Sequence, residues 1–345
     1  PFDKATKVRF RIDGVLQEVF SVEKSKAAQM ITQFKHLAHI KLNITNRPQD
    51  GRFSFYLNHD KVDVRLSSLP TMFGESLVMR LLSPQKKLLQ LQDLGLSGHG
   101  LELIQAAIAR PNGLILATGP TGSGKTTTLY ALLNLLNHAE DKIITLEDPV
   151  EYNVPGIGLR AILRQDPDIL MVGEIRDRET AEIACEASLT GHIVLSTIHT
   201  NDAVSTIPRL LNMGVPPYVL APAIDTIIAQ RLLRRICTFC KVQHQYTIEE
   251  MSLIGTMISS IESLLSLHID RPQEFFKGAG CEKCSHTGYR GQVGIYEVFS
   301  VDPTLEKMIL AVKPGTDLLS YVREHQKMLT LRESGVLQVL QGITT

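Results

Sequence analysis

The sequence predicts an α/β fold built around a parallel sheet, preceded by a smaller α+β unit. From about Gly95 onward, near-continuous apolar stretches alternate with amphipathic helical stretches, the pattern of parallel strands that helices cover on both faces. Before residue 82, short alternating stretches separated by turn residues indicate strands joined in hairpins. The two patterns therefore divide the chain into two parts of different architecture.

Length and charge exclude several classes of protein. The 345 residues are enough for two or three domains, and 36 basic residues balance 36 acidic ones, which gives no net field for binding nucleic acid or a membrane surface. No apolar run reaches the roughly 18 residues that span a bilayer, and no signal peptide opens the chain, which favours a soluble cytoplasmic protein. Because the chain starts at Pro1 rather than Met, we expect it to be part of a longer protein.

The first unit is predicted to span residues 1–82. Alternation over 7–20, broken by an Asp-Gly turn, is typical of a hairpin, and Ser21 is placed to cap a following helix. The apolar residues at helical spacing are Met30, Ile31, Phe34, Leu37, Ala38 and Ile40. Three further strands are predicted at 52–57, 62–66 and 76–81. A polar break then begins the predicted linker, 83–95.

The second unit carries the parallel sheet, and its main domain is predicted at 96–235. The predicted elements are a helix ending at Ala109, strand 114–118, helix 126–137, strand 142–147, strand 169–173, helix 178–189, strand 193–197 and helix 203–212. A cysteine-containing subdomain at 236–290 and a C-terminal helical region at 291–345 are expected to follow. A ligand should bind at the carboxyl ends of the parallel strands.

A glycine-rich loop follows strand 114–118. Residues 119–126 fit the pattern G-x-x-x-x-G-K-[ST] between a strand and a helix, the context that a phosphate-binding loop requires. Lys125 should reach the β- and γ-phosphates of ATP, and the Thr126 hydroxyl should bind Mg²⁺. The predicted nucleotide-binding residues are Gly119, Pro120, Thr121, Gly122, Ser123, Gly124, Lys125, Thr126 and Thr127. An ordinary strand-to-helix turn is the alternative, but the Lys-Thr pair and the correct flanks favour an ATP site.

Acidic residues follow two of the other strands. Glu147, Asp148 and Glu151 come at the end of one strand, where a base or water-positioning group for attack on the γ-phosphate would lie. Glu174 follows the next apolar strand and suits an acid that holds Mg²⁺ through water. The alternative is that these acids are helix caps or solvated turn residues.

Two histidines, His192 and His199, bracket strand 193–197. A single histidine at such a place is most simply a structural hydrogen-bonding residue. Two of them around a strand end can instead sense or stabilise the γ-phosphate of ATP. We therefore predict that both histidines contribute to the nucleotide site.

These stretches together resemble the secretion ATPases that power type II secretion and type IV pilus assembly, and the similarity runs nearly end to end. The matching motifs are Walker A at 119–126, the aspartate box at 144–152, Walker B at 173–177 with 159–168 leading into it, the histidine box at 190–200, and the shorter matches 229–232 and 294–298. The combination is far more specific than Walker A alone.

The resemblance implies a RecA-like P-loop ATPase domain behind a PAS-like amino-terminal domain, with six chains closing into a ring. It implies that Glu151 is the catalytic glutamate and Glu174 the Walker B acid. It further implies arginines that close over the nucleotide, because a guanidinium can neutralise charge on the γ-phosphoryl oxygens, often from a neighbouring subunit. The matching arginines are Arg52 and Arg65, with Arg160, Arg164 and Arg176 as further candidates.

Two departures from the family pattern matter. Only six residues separate Tyr152 from Leu159, where the family has a longer polar stretch, and this short join predicts a missing loop. The chain is also expected to begin inside the family's second amino-terminal domain, without the first domain, which docks onto membrane components.

Four of the five cysteines form two Cys-x-x-Cys pairs, Cys237 with Cys240 and Cys281 with Cys284. Four thiolates can make a closed tetrahedral Zn²⁺ site, which is structural rather than catalytic. A redox dithiol is the alternative, but two pairs in a cytosolic chain favour metal. The resemblance agrees, since assembly and secretion ATPases carry a tetracysteine element and pilus-retraction ATPases lack it. Cys185 lies in a helical pattern and is most simply a small buried hydrophobe.

The leading functional hypothesis, implied by the resemblance, is a hexameric motor that hydrolyses ATP to drive pilin or pseudopilin assembly. It would use Mg²⁺ and Zn²⁺, act on a platform protein of the inner membrane, and meet the membrane only through such partners. A RecA-like nucleic-acid motor is one alternative, but the balanced charge and few aromatic residues provide no footprint for nucleic acid. A pilus-retraction ATPase and a nucleotide-regulated scaffold without turnover are the others.

Overall fold

The chain folds as two compact units, Pro1–Leu88 and Leu89–Thr345. The computed structural model describes residues 1–3, 5–82, 90–146, 165–269 and 274–345. The boundary between the units falls within the predicted linker, 83–95.

The first unit is α+β, as predicted. Its elements are β1 (Ala5–Ile12), β2 (Val15–Glu23), α1 (Lys24–Leu37), β3 (Gln49–Leu57), β4 (Asp60–Thr71) and β5 (Gly74–Leu82). Strands β1 and β2 form an antiparallel hairpin, and β3, β4 and β5 form a second antiparallel sheet in that order. The PAS-like assignment of this unit stays a prediction.

Strand β4 supplies the small core of the first unit. Val62, Val64 and Leu66 are buried and alternate with more exposed neighbours, because successive side chains of a strand point to opposite faces. Leu66 packs with Ala38 and Ile40 in one apolar cluster. This cluster is small, so the unit depends on few apolar contacts.

Helix α1 begins later than predicted. The strand β2 continues through Ser21, and the helix starts at Lys24 with Glu23 as its N-cap residue, so the expected cap by Ser21 is wrong. Lys35 is the largest buried side chain of the helix, and its ammonium group lies 2.8 Å from the Glu75 carboxylate. The ion pair compensates for the burial of that charge.

The second unit contains the predicted parallel sheet. Its strands are β6 (Gly113–Thr118), β7 (Ile143–Leu146), β8 (Ile169–Val172), β9 (Ile193–Ile198), β10 (Ile224–Ile236), β11 (Lys241–His244), β12 (Phe275–Gly278) and β13 (Tyr289–Ser300). Within the described residues, six of them form a sheet in the order β13-β10-β6-β9-β8-β7, and all neighbours are parallel except β13, which is antiparallel to β10.

Helices cover both faces of this sheet. Those beside it are α2 (Gly98–Ile108), α3 (Lys125–Leu136), α4 (Arg178–Leu189), α5 (Thr206–Asn212) and α6 (Pro217–Ala223). Leu114 of β6 packs with Ala184 of α4 in one core cluster, whereas the next residue, Ile115, packs with Leu129 of α3 in another. The strands are apolar throughout because each of their faces is buried.

The segment between β10 and β13 is an insert in the order of the core strands. Strands β11 and β12 pair antiparallel, and α7 (Ile248–Leu265) begins with a capping box of Thr247 and Glu250. The last helices are α8 (Pro303–Leu310), α9 (Gly315–Gln326) and α10 (Leu331–Leu340). The C-terminal region, 291–345, thus opens with the rest of β13, which pairs with β10 as far as Ser300, and its helices follow from Pro303.

Candidate functional site

The glycine-rich loop lies at the carboxyl end of β6 and leads into α3. Gly119, Gly122 and Gly124 have φ values of 144°, 79° and 90°, a region that residues with a Cβ rarely adopt. Gly124 is the N-cap residue of α3, so the loop brings the free N–H groups of the first helical turn to this edge of the sheet. Such groups bind anions, and phosphate is the anion that this motif suits. The neighbouring Thr126 is exposed beside them.

Lys125, the first residue of α3, is buried inside the loop. Its ammonium group donates hydrogen bonds to the carbonyl oxygens of Gly119, at 2.8 Å, and Pro120, at 3.2 Å. Burial lowers the pKa of Lys125, and the negative charge of Glu174 acts in the opposite direction. The positive charge is therefore held where the phosphates of a nucleotide would lie.

Glu174 follows β8 at the same edge of the sheet. Its carboxylate accepts a hydrogen bond from Arg176 Nε at 3.0 Å, and Arg176 Nη2 lies 2.9 Å from the same carboxylate oxygen in an ion pair. The Arg176 side chain is 64% exposed, so this ion pair faces solvent. The structure thus places the predicted acid and one predicted arginine in direct contact.

His199 joins the loop to Glu174. Its ring Nδ1 lies 3.0 Å from the Gly119 carbonyl oxygen, and its Nε2 lies 2.9 Å from Glu174 Oε1. Both ring nitrogens face oxygen acceptors, so both contacts are hydrogen bonds when the ring carries two protons. The histidine follows β9, so this bridge spans the carboxyl ends of three strands.

His192 lies at the amino ends of the core strands, opposite the loop, so the prediction that both histidines lie near the γ-phosphate is wrong for His192. It precedes β9, whose six residues span about 20 Å at the usual rise of a strand. Its Nδ1 is 2.8 Å from the carbonyl oxygen of Ala187, in the last turn of α4. His192 therefore caps a helix. Sequence spacing missed this because two residues that flank a strand lie at its opposite ends.

Several predicted residues fall outside the described part of the chain. Glu147, Asp148, Glu151, Arg160 and Arg164 all lie within 147–164. Their roles stay predictions.

The predicted arginines of the first unit lie side by side. Arg52 of β3 is directly opposite Arg65 of β4, which is directly opposite Arg80 of β5. Residues paired in this way project from the same face of a sheet, and like charges placed opposite each other are unfavourable unless an anion offsets them. Sequence analysis missed Arg80, since only the strand register reveals the row.

The four cysteines of the two Cys-x-x-Cys pairs lie together. Their Sγ atoms are all within 4.8 Å of one another, with separations of 3.9 Å for Cys237 and Cys281, 3.8 Å for Cys240 and Cys284, and 3.7 Å for Cys281 and Cys284. Four Zn–S bonds of about 2.3 Å in a tetrahedron place the sulfur atoms about 3.8 Å apart. These donors therefore fit Zn²⁺, and their separations exclude a disulfide.

Backbone N–H groups point at the sulfur atoms of this cysteine cluster. Cys240 Sγ accepts a hydrogen bond from Gly280 at 3.3 Å, and Cys284 Sγ accepts from Cys281 at 3.2 Å and Gly288 at 3.3 Å. Burial acts to raise the pKa of the Cys284 thiol, but the N–H donors outweigh it and lower that pKa to about 6. At Cys240 burial dominates and raises the pKa to about 12. The cluster can thus stabilise thiolate charge at Cys284.

Cys185 lies apart from this cluster, in the core. It is fully buried on α4 among the apolar residues of one face of the sheet. Burial raises the pKa of its thiol to about 12, which keeps it neutral. The prediction of a small buried hydrophobe is confirmed.

Comparison with known proteins places the chain in a family. A family model described as type II/IV secretion system protein matches residues 1–345. The chain belongs to this family. The resemblance inferred from the Walker and histidine motifs is thereby confirmed.

Relatives of this secretion ATPase are similar along its whole length. Type II secretion system protein E of Pseudomonas aeruginosa is 42% identical over 359 residues, which cover 100% of this chain and 69% of the relative. The type IV pilus assembly ATPase PilB of the same organism is 41% identical over 361 residues, covering 100% of this chain and 62% of the relative. The solved structure of the pilus retraction motor PilT with bound ADP gives a TM-score of 0.60 at 25% identity, covering 99% of this chain and 88% of that one.

These relatives identify the chemistry of the secretion ATPase. Named ATPases of the family match the full chain. The chain is therefore an ATP hydrolase. Within its described residues, every helix is too short or too polar to cross a membrane.

Proposed function

We propose that this secretion ATPase works as a ring of six chains that uses ATP hydrolysis to drive pilin or pseudopilin assembly, in type IV pilus biogenesis or type II secretion. The observation that carries the proposal is the bridge from the phosphate-binding loop through His199 to Glu174. A change at the nucleotide can reach the ends of several core strands through this bridge. Such a link is what a motor needs and a passive nucleotide binder does not.

Lys125 and Thr126 hold the nucleotide in this proposal. Lys125 exchanges its hydrogen bonds with two loop carbonyls for oxygens of the β- and γ-phosphates. The exposed Thr126 hydroxyl and the Glu174 carboxylate are the groups that would hold Mg²⁺. When bound, Mg²⁺ neutralises charge on the β- and γ-phosphate oxygens. Glu151 is the proposed base, on the strength of its place in the aspartate box.

His199 acts as the sensor of the γ-phosphate. Its ring holds the Gly119 carbonyl on one side and the Glu174 carboxylate on the other. A γ-phosphate beside the loop offers the ring a competing charged acceptor, and charge-assisted hydrogen bonds are about twice as strong as neutral ones. Arrival and loss of the γ-phosphate therefore change how tightly Glu174 is held.

The row of Arg52, Arg65 and Arg80 supplies positive charge to a nucleotide on a neighbouring chain. A guanidinium fork matches phosphate oxygens in geometry and in charge. Three such groups on one face of the sheet form a concentrated cationic surface. Because one chain would contribute this surface to the nucleotide site of its neighbour, ATP hydrolysis would depend on ring assembly.

The cysteine cluster acts as a structural Zn²⁺ site that clamps the ends of the insert. It also favours an assembly motor, because the retraction branch of the family lacks this element. A pilus-retraction role is the second candidate, favoured by the likeness to PilT. The partner we propose is a platform protein of the inner membrane, so that the motor acts at the cytoplasmic side of that membrane through protein contacts.

A mixing experiment tests whether the site is completed between chains. Lys125→Ala removes the phosphate-binding lysine but keeps the arginine row, whereas the triple variant Arg52→Ala, Arg65→Ala, Arg80→Ala does the reverse. Each should be inactive alone. Mixed in equal amounts, they should regain about a quarter of the wild-type turnover, since random assembly pairs an intact loop with an intact neighbouring row at about one interface in four.

Oligomer size should be read in parallel by light scattering, with the fold of each variant checked by thermal unfolding. Turnover per wild-type chain should climb as hexamers form. A mixture with no more activity than its parts, or wild-type turnover that is independent of chain concentration, would contradict the ring motor and leave a self-sufficient ATPase.

A further inference from the structure

Gln230 lies directly beneath the phosphate-binding loop. It is on β10, the parallel neighbour of β6, and it follows Ala229, which pairs with Thr118 at the end of β6. The loop begins at the next residue, Gly119. Gln230 is only 1% exposed, so its amide is a polar group buried under the site.

Both ends of the loop touch this one residue. A Cβ added to Gly119 would lie 2.5 Å from the Gln230 carbonyl oxygen, and a Cβ added to Gly124 would lie 2.7 Å from its Nε2 atom. Real Cβ atoms do not approach other atoms so closely. The backbone of β10 at residue 230 therefore limits how near Gly119 comes to the sheet, whereas the Gln230 side-chain amide sets how near Gly124 comes.

The other atom of the Gln230 amide holds the helix that follows the loop. Its Oε1 accepts a hydrogen bond from the Thr128 hydroxyl at 2.8 Å, and Thr128 is completely buried. The Thr128 N–H donates to the Gly124 carbonyl oxygen at 3.0 Å, which closes the first turn of α3. One amide thus contacts both the N-cap residue and the first turn of the phosphate-binding helix.

A neutral amide suits this position. The amino end of α3 carries partial positive charge that favours the phosphates. A carboxylate beneath the helix end would offset this partial positive charge and weaken its attraction for the phosphates. An apolar side chain would leave the buried Thr128 hydroxyl without its Gln230 acceptor, which is costly. An amide satisfies the hydroxyl and adds no net charge.

We propose that Gln230 is a positioning residue for nucleotide binding, whose side-chain amide fixes Gly124 at the end of the loop and, through Thr128, the first turn of α3. The proposal rests on the proposed binding of ATP at this loop. Gln230 acts through the loop backbone, which binds the phosphates, and its loss should weaken the binding of ATP and ADP alike because both use the same N–H groups.

The test compares two substitutions of glutamine by methionine in the complete chain. Gln230→Met keeps the length of the side chain and removes the amide. Gln326→Met is the matched control, because the Gln326 amide also binds backbone, accepting from Ser300 N at 3.0 Å and donating to Ser300 O at 2.7 Å. Gln326 is the last residue of α9 and Ser300 the last residue of β13, and both are far from the loop in sequence. Both should lower the temperature of unfolding, which is measured for each.

Nucleotide affinity separates positioning from general stability. A fluorescent ATP analogue displaced by ATP with Mg²⁺, below the unfolding temperature of every variant, should give a Kd about tenfold higher for Gln230→Met and changed less than about twofold for Gln326→Met. Equal effects of the two substitutions, or an unchanged Kd for Gln230→Met, would overturn the proposal. Lys125→Ala in the same assay tests the ATP site itself, and normal binding by that variant would refute the site rather than the role of Gln230.

A double variant tests the route through Thr128. Thr128→Val removes the hydroxyl with little change of shape, and it should weaken binding less than Gln230→Met does. Combined, the two substitutions should weaken binding no more than Gln230→Met alone, since neither partner is then left with a buried unpaired group. Fully additive losses would mean that the two residues act separately and would contradict the proposal.

Discussion

The phosphate-binding loop and the cysteine cluster are both assembled from distant parts of the chain, but their surroundings differ. The loop rests on strands β6, β8 and β9, whose residues are almost all buried. In the insert that carries the cysteine cluster, β11 is largely exposed and α7 buries only Ile258 and Ile261. The apolar core supports the first site, whereas sulfur and backbone contacts hold the second. We infer that the loop keeps its shape without a ligand and that the insert depends on its metal.

Close backbone approach occurs at both sites for different reasons. In the loop, glycine lets the chain lie against Gln230 of the neighbouring strand. In the insert, a Cβ added to Gly278 would lie 1.8 Å from the carbonyl oxygen of Gly288, so the end of β12 touches the residue before β13 through backbone alone. Contacts without side chains bury little apolar area, and the stabilisation must come from elsewhere.

The largest expected effect is the loss of metal from the insert. Cys284→Ser should reduce zinc from about one ion per chain to none, and a structural Zn²⁺ site contributes about 10 kcal/mol or more of apparent binding free energy to folding. Elemental analysis gives the zinc content, and amide hydrogen exchange should show lost protection over 237–288 while strand β6 stays protected.

Cys185→Ala is the matched control for that experiment. It removes a buried thiol from the core, should keep the zinc, and should cost about 1 kcal/mol for the small cavity. If the amides of the insert were protected from hydrogen exchange in a metal-free wild-type chain, the insert would not depend on metal. That result would favour the dithiol alternative.

A smaller but decisive effect is expected at the loop. Lys125→Ala should lower ATP turnover at least about 100-fold, because catalysis of phosphoryl transfer is mostly positioning and charge stabilisation. Its temperature of unfolding should change little, since the hydrogen bonds of the Lys125 ammonium to described residues go to two loop carbonyls. Near-normal turnover would remove the loop from the active site, and a large loss of stability would show that the loop, like the insert, relies on its charged contacts.

The smallest effect is expected from comparing the two ends of strand β9. His199→Ala should lower turnover about tenfold by removing the bridge between loop and acid, whereas His192→Ala should change it less than about twofold. His192→Ala should instead lower stability slightly, through its lost hydrogen bond to the end of α4. Equal losses of turnover would contradict the assignment of His192 to a structural role.

Local signals in the sequence were sufficient for the parallel sheet and the loop. Strand 114–118 differs from β6 by one residue, and the predicted helix 178–189 coincides with α4. Apolar runs specify buried strands, and only glycine suits the φ values of the loop, so each inference needed no knowledge of neighbours. The pairing of cysteines in two short motifs was equally local, and it identified the four donors.

Tertiary structure alone decided which residues meet. The row from Arg52 to Arg80 depends on strand register, the separation of His192 from His199 depends on the direction of β9, and the place of Gln230 under the loop depends on which strand lies beside β6. The sequence by itself determined the elements and the chemical groups, because periodicity and glycine act over a few residues. Contacts between elements arise from packing the whole sheet, which no short stretch encodes.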